Sequence, residues 1–67
     1  MIKAIINGRQ EELDHPLSIA AFVQSLPVKS RFVAVAKNGE VVPRERWRKA
    51  EIREGDIIEV VRMVGGG

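Results

Sequence analysis

Ile57-Ile58-Glu59-Val60-Val61-Arg62-Met63-Val64-Gly65-Gly66-Gly67 closes the 67-residue sequence. The part before the glycines is rich in β-branched residues, which suit a pleated surface. Apolar side chains fall at both odd and even positions, so a strand here is apolar on both faces and belongs inside a sheet. Three glycines then remove side chains where the sequence stops. Without Cβ atoms such a tail is expected to be thin, flexible and able to approach another surface closely, ending in a free α-carboxylate. A frayed, glycine-rich end is the ordinary alternative. The rest of the sequence decides between them.

Glu54-Gly55-Asp56 is a tight turn leading into this strand. Further back, Phe32-Val33-Ala34-Val35-Ala36 reads as a strand, Lys37-Asn38-Gly39 as a hairpin turn, and Glu40-Val41-Val42 as its return, stopped by Pro43, which lacks the N–H a ladder needs. The N-terminal part repeats the device: Ile2–Ile6, then Asn7-Gly8, whose residues accept positive φ, then a polar return strand from Arg9 to about Leu13. Asp14-His15-Pro16 breaks it. Ser18 suits a helix N-cap, with Leu17 and Phe22 placed for a hydrophobic staple. Ile19, Phe22, Val23 and Leu26 share one face of a short helix over Ser18–Leu26, which Pro27 closes. Val28 to Arg31 is a connecting loop. Arg44 to Ala50 is a charged, irregular or single helical turn in which Trp47 reads as a packing anchor rather than a ligand platform.

The expected fold class is therefore α+β, a mixed sheet with one main helix packed across it and the final strand at its centre. Residues 1–64 form one domain and 65–67 a flexible tail. A chain of this length buries only about 60% of its unfolded surface and has no room for an enclosed cleft. There is no Cys, so disulfides and thiolate metal sites are excluded. The formal net charge of +2 is weak evidence for nucleic acid. No apolar run approaches the roughly 20 residues of a membrane span, and Met1-Ile2-Lys3 does not begin a signal peptide. A cytoplasmic protein with neither membrane nor nucleic acid as partner is the expectation.

Asn38-Gly39-Glu40-Val41-Val42-Pro43-Arg44 with Trp47, then Ile52, Gly55-Asp56, Ile58-Glu59 and terminal Gly66-Gly67, resemble the ThiS family of thiamine-biosynthesis sulfur carriers. The likeness covers essentially the whole chain. It implies the β-grasp, ubiquitin-like fold, in agreement with the element order above. MoaD, the small subunit of molybdopterin synthase, shares the fold and the tail, but its chains are generally longer and lack the Val-Pro-Arg…Trp stretch.

The resemblance implies a protein cosubstrate rather than an enzyme, with no catalytic residue, no metal and no bound cofactor. The Gly67 carboxylate would be adenylated by a ThiF-like, ubiquitin-activating-type enzyme that uses ATP. A sulfur donor such as a cysteine desulfurase would supply the thiocarboxylate, and a ThiG-like thiazole synthase would take the sulfur. Gly65 and Gly66 would keep the tail slim enough for partner sites. The physical logic is general: a carboxylate is a poor electrophile until it gains a leaving group, and positioning inside a partner's pocket is worth many powers of ten. With no Cys, the chain has no side chain on which to hold a persulfide. Val60, Met63 and Val64 are candidates for partner docking at the base of the tail, and equally for the core.

Other constellations are less persuasive. Glu11, Glu12 and Asp14 fit a solvated strand edge better than paired-carboxylate catalysis. His15 has no second His or Cys to complete a metal set, and Ser18 has no basic partner at triad-like spacing. Arg44, Arg46, Arg48 and Lys49 around Trp47 suggest nucleic acid, but Glu45 and Glu51 dilute the patch. Three classes remain open: a sulfur carrier, a ubiquitin-like modifier joined to amines by the same carboxylate, and a basic adaptor with an incidental tail.

Overall fold

Two Asn-Gly turns fix the sheet. In the computed structural model, which describes residues 1–27 and 29–62 (residue 30 by its backbone alone), Asn7 and Asn38 have φ of 51° and 52°, and Gly8 and Gly39 follow at 81° and 87°. Positive φ at both central positions is what a tight hairpin with the natural strand twist requires. The first turn joins β1 (Ile2–Ile6) to β2 (Arg9–Leu13), and the second joins β4 (Val33–Lys37) to β5 (Glu40–Val41). The last strand, β7 (Ile57–Arg62), enters between the two hairpins, giving the order β2-β1-β7-β4-β5. It runs parallel to β1 and antiparallel to β4, so the sheet is mixed and β7 lies at its centre.

Ser18 starts the helix α1 (Ile19–Gln24), its hydroxyl accepting a bond from the Ala21 N–H at 3.0 Å. The helix is shorter than the periodicity suggests. At Ser25 the backbone N–H is shared between the Ala21 and Phe22 carbonyls, and the hydroxyl donates to Phe22 O at 2.6 Å. This local competition ends the helix before Pro27 does. Ile19, Phe22 and Val23 point into the core, where they meet Ala4, Val33, Val35, Trp47, Ile52 and Ile58.

Two features depart from the sequence reading. Phe32 belongs to a 3₁₀ turn (Ser30–Phe32), and the strand begins one residue later. Its ring is partly exposed, with the Arg31 guanidinium 5.0 Å above it. A second, two-stranded sheet pairs β3 (Leu17–Ser18) with β6 (Glu51–Ile52), clamping the start of the helix to the segment that follows Trp47. Trp47 itself is buried and donates its indole N–H to Val42 O at 2.9 Å. No helix among the described residues is long and apolar enough to cross a membrane.

A polar knot holds the beginning of β7. Asp56 accepts bonds from the Arg53 amide at 2.8 Å and the Asn38 side chain at 3.1 Å, with Lys37 Nζ 3.6 Å away. Asn38 Oδ1 accepts from the Ile57 amide, and Lys37 Nζ donates to Glu51 O. Burial works to raise the Asp56 pKa, but the Arg53 and Asn38 donors and the Lys37 charge together hold it below its ordinary 3.8. A folded-state pKa below the unfolded value means that the stabilisation is complete above the unfolded value. It is lost as pH falls through the folded one. Asp56→Asn is therefore expected to lower the urea-unfolding free energy by about 1–2 kcal/mol near neutral pH. The difference from the unsubstituted chain should shrink once the pH drops below about 3.8. A difference that stays constant with pH would show that the carboxylate charge is not what holds the turn.

Candidate functional site

β7 leads into the tail, so its last residues fix where the tail starts. On one side it pairs with β4 through Arg62, opposite Val33. On the other, pairing with β1 stops at Ile58, opposite Ile6. Asn7 extends the hold: its amide donates to Ile58 O at 2.9 Å, and its side-chain oxygen accepts from the Val60 amide at 2.8 Å. A turn residue thus substitutes for a missing strand residue. The root of the tail is gripped from both sides through Val60 and from one side through Arg62.

The two faces of β7 differ. Ile58 is fully buried, and Val60, opposite Val35 of the core, is half-buried against it. Ile57, Glu59 and Val61 point to the opposite, uncovered face. There Ile57 lies beside Ile5, and Val61 beside Ala34. Ile5, Ile57 and Val61 are 40%, 47% and 58% exposed, apolar side chains in the middle of a sheet with Glu59 standing between the last two. Of the docking candidates, Val60 therefore sits on the core-facing side. Met63, Val64 and the whole tail Gly65–Gly67 lie outside the described residues, and with them the boundary drawn at residue 64. The residues sequence reasoning missed are Asn7, read only as a turn, and the outward set Ile5, Ile57 and Val61. Alternation along β7 carried that signal, but its phase relative to the helix was not readable.

The remaining candidates are not brought together. Glu11 and Glu12 point to opposite faces of β2, opposite Ala4 and Lys3 respectively, so they do not form a carboxylate pair. His15 Nδ1 lies 2.8 Å from the Pro16 carbonyl. Ser18 is committed to its cap, and Trp47 is covered, so it offers no stacking platform. No group of three His, Cys, Asp or Glu among the described residues is placed to hold a metal ion. What the arrangement offers is a rigidly rooted strand end beside an apolar sheet face.

Known proteins share this fold. The model of the ThiS family matches residues 4–67. A Bacillus subtilis protein named sulfur carrier protein ThiS is 34% identical over 75% of this chain and 76% of its own. A crystal structure of a thiamine biosynthesis protein (ThiS) from Geobacter metallireducens superposes with a TM-score of 0.86 at 28% identity, covering 98% of this chain and 100% of that one. A Paramagnetospirillum magneticum protein named thiazole synthase is 35% identical over 98% of this chain, which spans only 20% of that protein's length. A small mixed-sheet fold with one helix, matched through its last glycine, places the chain in the ThiS family, the sulfur carriers of thiamine biosynthesis.

Proposed function

We propose that the chain carries sulfur as a thiocarboxylate on Gly67, delivered for thiazole formation. The observation that supports this most is the family match, which runs through Gly67 and so includes the tail itself. The fold supplies the mechanical part. β7 is locked in the sheet, so docking the domain sets the position from which the tail starts. An activating enzyme can then present ATP to a carboxylate already held near the α-phosphate, turning a bimolecular encounter into a positioned one. Adenylation creates the leaving group, and attack by hydrosulfide on the acyl carbon expels AMP and leaves the thiocarboxylate. Gly65 and Gly66 serve by their lack of side chains.

The uncovered face with Ile5, Ile57 and Val61 is the docking surface for the activating enzyme in this reading, because it exposes these apolar side chains around Glu59 and is continuous with the strand that leads into the tail. Met63 and Val64 would extend it. A thiazole synthase is the acceptor. Support comes from the magnetospirillum protein of that name, in which a segment similar to this chain belongs to the same polypeptide. Joining two modules raises their effective concentration, which is useful when they must meet repeatedly.

The reading is tested by ATP–pyrophosphate exchange with a ThiF-like adenylyltransferase. Exchange is expected only when this chain is added, and hydrosulfide is expected to drain the acyl-adenylate and release AMP. Exchange that ignores the chain would contradict the proposal, and amide conjugates to a second protein would favour a modifier.

A further inference from the structure

The charges of the domain are sorted along β7. At its beginning they occur in pairs: Lys37 faces Asp56 at 3.6 Å, and Arg53 bonds Glu51 at 3.1 Å. At its other end, where the tail starts, they do not. Arg62 stands opposite Val33, and Arg44 reaches the carbonyl of that same Val33 at 3.5 Å while lying 5.0 Å over the Trp47 ring. Arg31 and Lys29 belong to the turn that feeds into Val33, with the Phe32 amide bonded to Lys29 O. All four are exposed, and none forms an ion pair among the described residues. Glu45, next to Arg44, is the acidic neighbour in sequence.

Gathering like charges costs free energy unless a counter-charge arrives. Two of the guanidinia are also pre-positioned, Arg44 on Trp47 and Arg31 on Phe32, so less side-chain freedom is lost when they bind. We infer that this cationic collar docks against an acidic protein rim around the tail-accepting channel of the activating enzyme, turning the domain tail-first as it approaches. The inference rests on the carrier reading and adds the partner's chemistry. A protein rim fits better than a nucleic-acid strand, because Trp47 is buried and the Phe32 ring already carries Arg31. Complementary charge of this kind acts mainly on the rate of encounter and is weakened by salt.

The test compares two double variants with equal charge change. Arg31→Glu with Arg62→Glu reverses the collar. Arg46→Glu with Arg48→Glu reverses two exposed cations away from it. In ATP–pyrophosphate exchange with varied carrier, the collar variant is expected to raise the carrier's KM by about 10- to 100-fold. It should also remove most of the salt dependence of KM, with turnover at saturation unchanged. The second variant should shift KM less than about threefold. Arg31→Gln with Arg62→Gln should fall between the unsubstituted chain and the reversal, and circular dichroism checks that each variant is folded. Equal effects of the two reversals, or an unchanged KM in the collar variant, would overturn the inference. So would a rise in the KM for ATP in place of the carrier's, because the collar would then be reading nucleotide phosphates. If the unsubstituted chain supports no exchange at all, it is the carrier reading that fails.

Discussion

Deleting Gly67 is expected to abolish ATP–pyrophosphate exchange while leaving the urea midpoint of the domain unchanged. One extended residue spans about 3.5 Å, so the deletion draws the carboxylate back by that distance from a nucleotide it must meet at bonding range. A misplacement of about 1 Å already costs on the order of 100-fold in a positioned reaction. Gly66→Val is expected to lower exchange comparably by another route. It adds a β-branched side chain to a tail that, on the proposed mechanism, enters a narrow partner passage, and it restricts a backbone that glycine leaves free. The core around Ile58 is built among the described residues from Ala4 to Val60, so unfolding free energies should move by less than about 0.5 kcal/mol. Full exchange in either variant would show that the tail is not the reactive element. Parallel loss of folding would show that it is part of the domain.

Trp47→Ala is expected to remove about 3–5 kcal/mol of stability, comparable to all that a core of this size supplies, so the variant should be largely unfolded at 25 °C. Trp47 is buried 6% exposed among Phe22, Val33 and Ile52 of the same core, and its indole N–H satisfies the Val42 carbonyl. Its own carbonyl accepts a bond from the Ala20 amide, tying the helix to the segment after the 3₁₀ turn at Arg44–Arg46. Trp47→Phe keeps most of the bulk but leaves the Val42 carbonyl without its indole donor, and should cost about 1–2 kcal/mol. Urea titration followed by far-ultraviolet circular dichroism separates the three proteins. A Trp47→Ala midpoint near that of the unsubstituted chain would return this residue to the role of a surface platform.

Most of the fold was legible because its signals are local. Two Asn-Gly pairs dictated the hairpins, Ser18 and the Ile19-Phe22-Val23 spacing announced the helix, and the doubly apolar run at Ile57 announced a central strand. The β3–β6 ladder was not legible. Two residues are too short for any period, and Leu17 meets Ile52 only after the whole chain has folded. Phe32 looked like strand by its neighbours, yet a local turn claimed it. The tail lies outside the described residues, and the surface beside it was only half legible. A strand apolar on both faces does not say which phase faces the helix, so Val60 was singled out where Val61 is the exposed residue. Asn7 illustrates a different limit. Its positive φ could be read from the Asn-Gly pair, but not that its side chain would complete a ladder to Val60, distant in sequence.

The central claim is that one oxygen of the Gly67 carboxylate is replaced by sulfur. The most direct measurement is the intact mass of the chain after incubation with the activating enzyme, ATP and a sulfide source, followed by mapping of the C-terminal peptide. A mass gain of one oxygen-to-sulfur exchange is expected, confined to the peptide ending in Gly67 and absent without ATP. Unmodified protein, from an activating enzyme that works on another carrier, would contradict it.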